Sequence, residues 1–255
     1  MTNSSKVISD RAAISRTVLN SLAEHAVEIA PVLEKTLFPE GTPPNLTVAQ
    51  LVSALQGLLE SATEAMTAAD LAHTRELADD VAPRALLDER AGILNALLLS
   101  LRTTLASTYG PAVAAAYGIP TQIPEEVETL LHVAVMVERR LRTRPLDEPP
   151  KIKSLAIAPQ AVAEDLGMAI ASLRSSLSVV DRERREAQVS QSAKNLAMSR
   201  WLAIYQGVAT TACGLYALAG KAELADGIRP TARRLSGLPE EEDTAPSTER
   251  PHIHG

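Results

Sequence analysis

Apolar residues recur every three or four positions along most of the chain, which is the spacing of one face of an α-helix. The clearest run follows Thr47, a residue that can cap a helix, and consists of Leu51, Leu55, Leu58, Leu59, Ala62 and Met66. No run of β-branched or aromatic residues alternates with a period of two, so no strand is predicted. The pattern therefore predicts an all-α fold.

Six helices follow from this spacing and from residues that start or stop helices. Proline-rich connectors at residues 38–45 and 145–150 end two of them, because proline and glycine continue a helix at a high cost. Charged stretches at residues 70–80 and near Arg182 are predicted as joints. The predicted helices cover about residues 10–37, 47–66, 83–118, 125–141, 159–180 and 182–226.

The order of these elements repeats, and so do short motifs. Thr103, Thr104 and Tyr109 correspond to Thr210, Thr211 and Tyr216, 107 residues later, and Gly118-Ile119 corresponds to Gly227-Ile228, 109 residues later. A regular offset is the usual sign of a repeat architecture. We predict two tandem three-helix repeats, residues 10–122 and 123–238, packed together as one body and forming a bundle of about six helices.

The end of the chain differs from the rest. Residues 239–255 are acidic, rich in proline and nearly free of large apolar side chains. Such a segment buries too little apolar surface to fold alone, so it is predicted to be a disordered tail that a partner protein can order.

Composition supports helices and weakens some functions. Aromatic residues are 2% of the chain, which leaves few flat side chains on which a base or a planar cofactor can stack. The formal net charge is −6, so the whole chain does not attract nucleic acid or an anionic membrane. Nucleic acid is therefore an unlikely partner.

Cys213 is the single cysteine, which excludes an internal disulfide and a cysteine-based zinc site. Residues 1–10 lack the apolar core of a signal peptide, and a cytoplasmic location is expected. Residues 201–220 are free of charge, but Gln206, two threonines and several glycines dilute their hydropathy. They are predicted to form a buried helix and not a membrane span.

Histidines offer the first candidate chemistry. His25 with Glu28, His73 with Glu76, and Glu128 with His132 each share a helix face. A dimetal bundle instead requires two Glu-x-x-His pairs with two further glutamates, so solvated surface pairs are the favoured interpretation. The pair on the tail, His252 and His254, has no surrounding structure to orient a metal. No metal, cofactor-binding or catalytic residue is predicted, and no cofactor is expected.

Nucleophile and phosphate motifs are also lacking in the sequence. No Gly-x-Ser-x-Gly elbow and no glycine-rich phosphate loop occur. Cys213 lies among small and apolar residues and is interpreted as a packing residue. These observations favour a protein that is not an enzyme.

Three arginine clusters lie near predicted helix ends, at residues 139–144, 182–185 and 229–234. Cations there complement the helix dipole. The alternating signs of residues 182–186 indicate a solvated face and not a phosphate groove.

We therefore predict a helical scaffold, assembly or adaptor protein that acts through protein–protein contacts and forms homo-oligomers. A first alternative is a helical ligand- or metal-binding protein with a pocket between the repeats, in which at least two of His25, His73 and His132 converge with glutamates. A second alternative is nucleic-acid binding through the arginine clusters.

Overall fold

A computed structural model describes residues 5–151 and 156–235. Every regular element in these ranges is a helix, so the predicted all-α helical bundle is confirmed. The predicted tail at 239–255 lies outside the described residues. The helices are α1 (Lys6–Leu37), α2 (Val48–Asp79), α3 (Val81–Thr108), α4 (Pro111–Ala116), α5 (Val127–Thr143), α6 (Pro159–Leu218), α7 (Ala222–Ile228) and α8 (Ala232–Leu235).

The described chain divides into two compact units, and each unit takes its helices from distant parts of the sequence. Unit 1 comprises residues 5–74 and 190–235, and unit 2 comprises residues 75–151 and 156–189. The predicted repeats do not coincide with these units, since each repeat contributes residues to both. Their packing as one body stays a prediction.

Unit 1 contains α1, most of α2, the second half of α6, and the two short helices α7 and α8. Its core combines aliphatic side chains with the stacked rings of Trp201 and Tyr205, whose centroids are 5.2 Å apart. The indole nitrogen of Trp201 donates a hydrogen bond of 2.8 Å to Ser15, which is also fully buried. Thr63 donates a second hydrogen bond, of 3.0 Å, to the same hydroxyl.

Unit 2 contains the last residues of α2, all of α3, α4 and α5, and the first half of α6. Its core is formed mainly by leucine, valine and alanine. Tyr117 is fully buried there, and the guanidinium of Arg144 lies 5.1 Å from the centre of its ring. A side chain of this size in an otherwise aliphatic core supplies much of its contact area.

The predicted charged joints are wrong, because the helices continue through them. Helix α2 extends to Asp79, and α6 runs for 60 residues where two helices were predicted. Neither stretch contains proline or glycine, and Arg182 lies 3.8 Å from Glu186 one turn later, an ion pair that favours helix. Polar residues on one face of a long helix were mistaken for a break.

The predicted ends of the two long third helices are also wrong. Helix α3 stops at Thr108 and not near Gly118, and α6 stops at Leu218 and not at Asp226. Gly110 has φ +113° and Gly220 has φ +75°, a backbone region that glycine enters without steric cost. A short helix follows each of these glycines, α4 and α7 respectively.

Other helix boundaries agree with the sequence prediction. Helix α1 ends at Leu37 as predicted. Glu126 caps α5 by accepting hydrogen bonds from the backbone amides of Glu128 and Thr129, and Pro83 lies in the first turn of α3, where a missing N–H costs nothing.

Burial follows the predicted 107-residue offset. On α3 and α6, Leu94, Leu98, Leu101 and Leu105 are buried, and so are Trp201, Tyr205, Val208 and Ala212. On α2 and α6, Leu59 and Met66 are buried, and so are Leu166 and Leu173. Each member of the second set lies 107 residues after its counterpart.

None of the helices in the described ranges has an apolar stretch long enough to cross a bilayer. Residues 201–218, which raised that question in the sequence, form part of α6 and supply core residues to unit 1.

Candidate functional site

Unit 1 contains a buried polar cluster centred on Asp70. This carboxylate is fully buried and lies 2.6 Å from the ammonium of Lys194. The backbone amide and hydroxyl of Ser5 donate to it at 2.7 and 3.0 Å. A buried carboxylate is tolerated when it is paired and hydrogen-bonded in this way. The cluster fastens the start of α1 to α2 and α6.

His73 lies one turn after Asp70 and is nearly buried, with Nδ1 2.9 Å from the hydroxyl of Ser190. A serine beside a histidine is the minimal arrangement for an activated nucleophile. Acyl transfer also requires donors for the developing oxyanion. Ser190 lies in the middle of α6, where helical hydrogen bonds occupy the nearby backbone N–H groups. We therefore assign the pair a structural role.

This arrangement corrects the sequence interpretation of His73, which was taken for part of a solvated pair with Glu76. Its partner instead lies 117 residues away. Sequence analysis also missed Asp70, Ser190 and Lys194. The available signal was the spacing on each helix, since Asp70 and His73 share one face and Ser190 and Lys194 share another.

Unit 2 contains an acidic cluster formed by Glu76, Glu183 and Glu186, whose nearest carboxylate oxygens lie within 4.8 Å of one another. Burial raises the pKa of Glu76, and the charges of Glu186 and Glu183 raise it further. Arg182 offsets part of this charge by pairing with Glu183 at 2.8 Å. Oxygen ligands at this spacing suit a divalent cation, but they also occur without one on ordinary helix surfaces, so the cluster alone does not define a site.

The other histidines lie apart from this cluster. His25 faces Glu28 at 3.9 Å and the edge of the Tyr216 ring, and His132 is exposed on α5. Among the described residues, the one group of three or more potential metal ligands contains glutamates and no histidine. The convergence of histidines that the metal-binding alternative requires is therefore not found in this part of the chain.

Many arginines of the three clusters pair with nearby carboxylates. Arg142 lies 2.9 Å from Glu138, and Arg144 lies 2.6 Å from Glu148. These pairs link neighbouring residues near the end of α5, and Arg229 makes a similar pair with Asp226. Guanidinium groups that already bind carboxylates are less available for phosphates.

Cys213 is partly buried, and its thiol donates to the backbone oxygen of Ala225 at 3.2 Å. Burial raises its pKa, so the unreactive thiol form predominates at neutral pH. This environment agrees with the interpretation of Cys213 as a packing residue.

Large apolar side chains are exposed on several of the long helices. Single exposed apolar residues are normal, whereas groups of them around grooves mark interaction surfaces. They include Val27 on α1, Leu51, Leu58 and Leu77 on α2, Val81, Leu86 and Ile93 on α3, and Met168, Val189 and Leu196 on α6.

Each unit has an apolar groove beside α6. The α2/α6 groove of unit 1 has a volume of about 400 Å³ and is lined by Leu58, Ala62, Ala65, Leu196, Arg200 and Ile204, among others. The α3/α6 groove of unit 2 has a volume of about 210 Å³ and is lined by Leu97, Ser100, Leu101, Val162, Asp165 and Leu166, among others. These are the described surfaces best suited to receive apolar side chains from a partner.

No known protein family, curated protein or solved structure matches this chain.

Proposed function

We propose that this protein is a non-enzymatic helical scaffold that assembles with copies of itself, and through the same faces with other proteins. The observation that supports this most strongly is the combination of exposed leucines with apolar grooves along α2 and α6. Leu196 is 72% exposed, yet it lies at the wall of a groove whose other walls are alanine, leucine and isoleucine. Covering such a surface is favourable by about 25 cal/mol for each Å² removed from water.

Glycines inside the long helices add a second line of support. A Cβ atom added to Gly57 or Gly207 would meet nothing within 4 Å. Glycine in a helix interior is less stable than alanine by about 0.5–1 kcal/mol. Packing around these positions does not require glycine, whereas close approach of a helix from another molecule would.

We also propose that the chain is an internal duplication of three-helix repeats, residues 10–122 and 123–238. The constant 107-residue offset between buried positions supports this, because it extends the offset of the sequence motifs to the core. Two similar halves give a scaffold two similar surfaces for assembly.

The test compares the wild-type protein with Leu196→Asp at equal concentration, by light scattering behind size exclusion. A charge at this exposed position should leave the fold intact and prevent burial of the surface between molecules. We expect a multimeric wild type and a Leu196→Asp variant of lower mass.

Val27→Asp is the matched control, because Val27 is 85% exposed on α1 and does not line the groove. It should keep the wild-type mass. If Leu196→Asp and Val27→Asp both assemble like the wild type, the α2/α6 surface is not the site of association and the proposal loses its main support.

A further inference from the structure

We propose that the two grooves belong to one contact between copies, in which the α2/α6 groove of one molecule faces the α3/α6 groove of another. This inference rests on the self-assembly proposed above and identifies the surfaces that meet. Their shape and charge are the evidence for it.

The α2/α6 groove has one charged residue in an otherwise uncharged lining, and that residue is a cation. Arg200 is exposed at its wall, near Leu58 and Ile204. Among the described residues it makes no ion pair and no side-chain hydrogen bond, unlike many arginines of the three sequence clusters. A guanidinium left unpaired beside apolar side chains favours a partner that brings a carboxylate.

The α3/α6 groove has the opposite charge. Asp165 is exposed at its wall, next to Leu166 and near Val162. Its carboxylate has no ion-pair partner within the described part of the chain. The two grooves therefore share an apolar lining and differ in sign, which is the relation that complementary surfaces require.

Each groove also has a protruding apolar side chain beside its charge. Leu196 lies one helical turn before Arg200, and Met168 lies one turn after Asp165, where it is 66% exposed. When the faces meet, Met168 can enter the α2/α6 groove while Leu196 enters the α3/α6 groove. The apolar side chains then supply most of the affinity, and the Arg200–Asp165 pair fixes the orientation.

The predicted duplication places the grooves at equivalent positions. Leu58 and Asp165 are 107 residues apart, and so are Leu97 and Ile204. A contact between two such surfaces on separate copies resembles the self-complementary interface of a symmetric dimer. A second copy of this chain is therefore the occupant that the sequence itself provides.

A charge-swap experiment tests the contact on the full chain. Sedimentation velocity at low salt measures the dissociation constant of the wild type, Arg200→Glu, Asp165→Arg and the double variant. Each single change opposes two like charges, and we expect it to raise the dissociation constant roughly tenfold. The double variant restores opposite signs and should return to within about threefold of the wild type, because its pairing energy is recovered.

Two controls accompany the swap. Arg16→Glu changes the net charge equally at an exposed position on α1, and it should leave association unchanged. Far-UV circular dichroism should show the wild-type helix content in every variant, since Arg200 and Asp165 are exposed. If a reversed charge disturbs folding, Arg200→Gln and Asp165→Asn provide milder changes, each expected to weaken association.

The outcomes separate this contact from self-assembly in general. If the wild type associates and the single variants match it, the groove contact is wrong and assembly uses another surface. If the double variant is as weak as the singles, Arg200 and Asp165 do not face each other, which also overturns the contact. A wild type that is monomeric at every concentration overturns both proposals.

Discussion

Glu76 is the carboxylate whose ionisation most clearly opposes the folded state. One of its oxygens is buried without a hydrogen-bond partner in the described structure, and four other acidic side chains raise its pKa in addition to burial. The ionised form is therefore less favourable in the folded chain than in the unfolded chain.

Replacing Glu76 with glutamine should stabilise the protein at neutral pH. Because the folded pKa lies above the ordinary value of 4.5, the folded state holds the proton to higher pH, and the free energy of unfolding falls as pH rises through that window. Urea denaturation should show Glu76→Gln more stable than the wild type at pH 7 and equal to it below about pH 4.

Glu126→Gln is the matched control from the same unit. The hydroxyl and amide of Thr129 lower the pKa of Glu126, so its ionised form stabilises the folded chain above the ordinary pKa, and glutamine should destabilise it at pH 7. If Glu76→Gln destabilises the protein at pH 7 in the same way, the account of repulsion around Glu76 is wrong.

At the residue scale, sequence predicts the apolar positions well and the polar ones poorly. Leu51 was placed on a buried face and is exposed, but Leu59, Ala62 and Met66 are buried as their spacing indicates. The partners of Ser15 lie 48 and 186 residues away. No local pattern relates residues at such separations, so the buried polar clusters become visible when the helices are packed.

At the element scale, the long helices owe their continuity to what they lack. Helix α6 spans 60 residues, and α2 continues through a stretch rich in charge. Charged residues do not end a helix when the side chains can reach water or one another. Glycine at the two ends, Gly110 and Gly220, stops α3 and α6 more effectively than any charged stretch does.

The open glycines of α2 and α6 give a prediction at this scale. Gly57→Ala should stabilise the monomeric chain by about 0.5–1 kcal/mol, because alanine loses less conformational entropy and its methyl group meets nothing within 4 Å. Urea denaturation at a concentration below association measures the change. At higher concentration the same methyl group should weaken assembly, since it separates closely packed helices.

Gly118→Ala is the contrasting substitution. Gly118 has φ +79°, and an added Cβ would collide with the side chain of Arg140, so alanine should destabilise the chain. A Gly57→Ala variant that is also destabilised would mean that this helix face is packed in the monomer, contrary to the open surface described above.

Sequence analysis located most helices but could not find their lengths. Proline-rich connectors and capping residues mark α1 and α5 correctly, because those signals are local. The joints at residues 70–80 and near Arg182 were wrong, since polarity alone does not distinguish a loop from the solvated face of a helix.

At the scale of the whole molecule, each unit combines helices from both predicted repeats. Unit 1 takes α1 and most of α2 from the first repeat and the second half of α6 from the second, whereas unit 2 takes α3 from the first and α5 from the second. A repeat in the sequence has the same order whether its helices pack locally or exchange. The division into units was therefore beyond the reach of the sequence.

The grooves beside α6 were also beyond it. Leu58 was predicted to lie on a buried helix face, and Leu196 was not singled out. Both line the α2/α6 groove, where they are exposed. Hydrophobic spacing does not show which apolar side chains the chain itself covers and which it leaves for a partner.

The most direct test of self-assembly is the mass of the wild-type protein in solution, measured by light scattering behind size exclusion over a tenfold range of concentration. The account predicts a mass above that of one 27.1 kDa chain, rising with concentration. A mass of one chain at every concentration would contradict it.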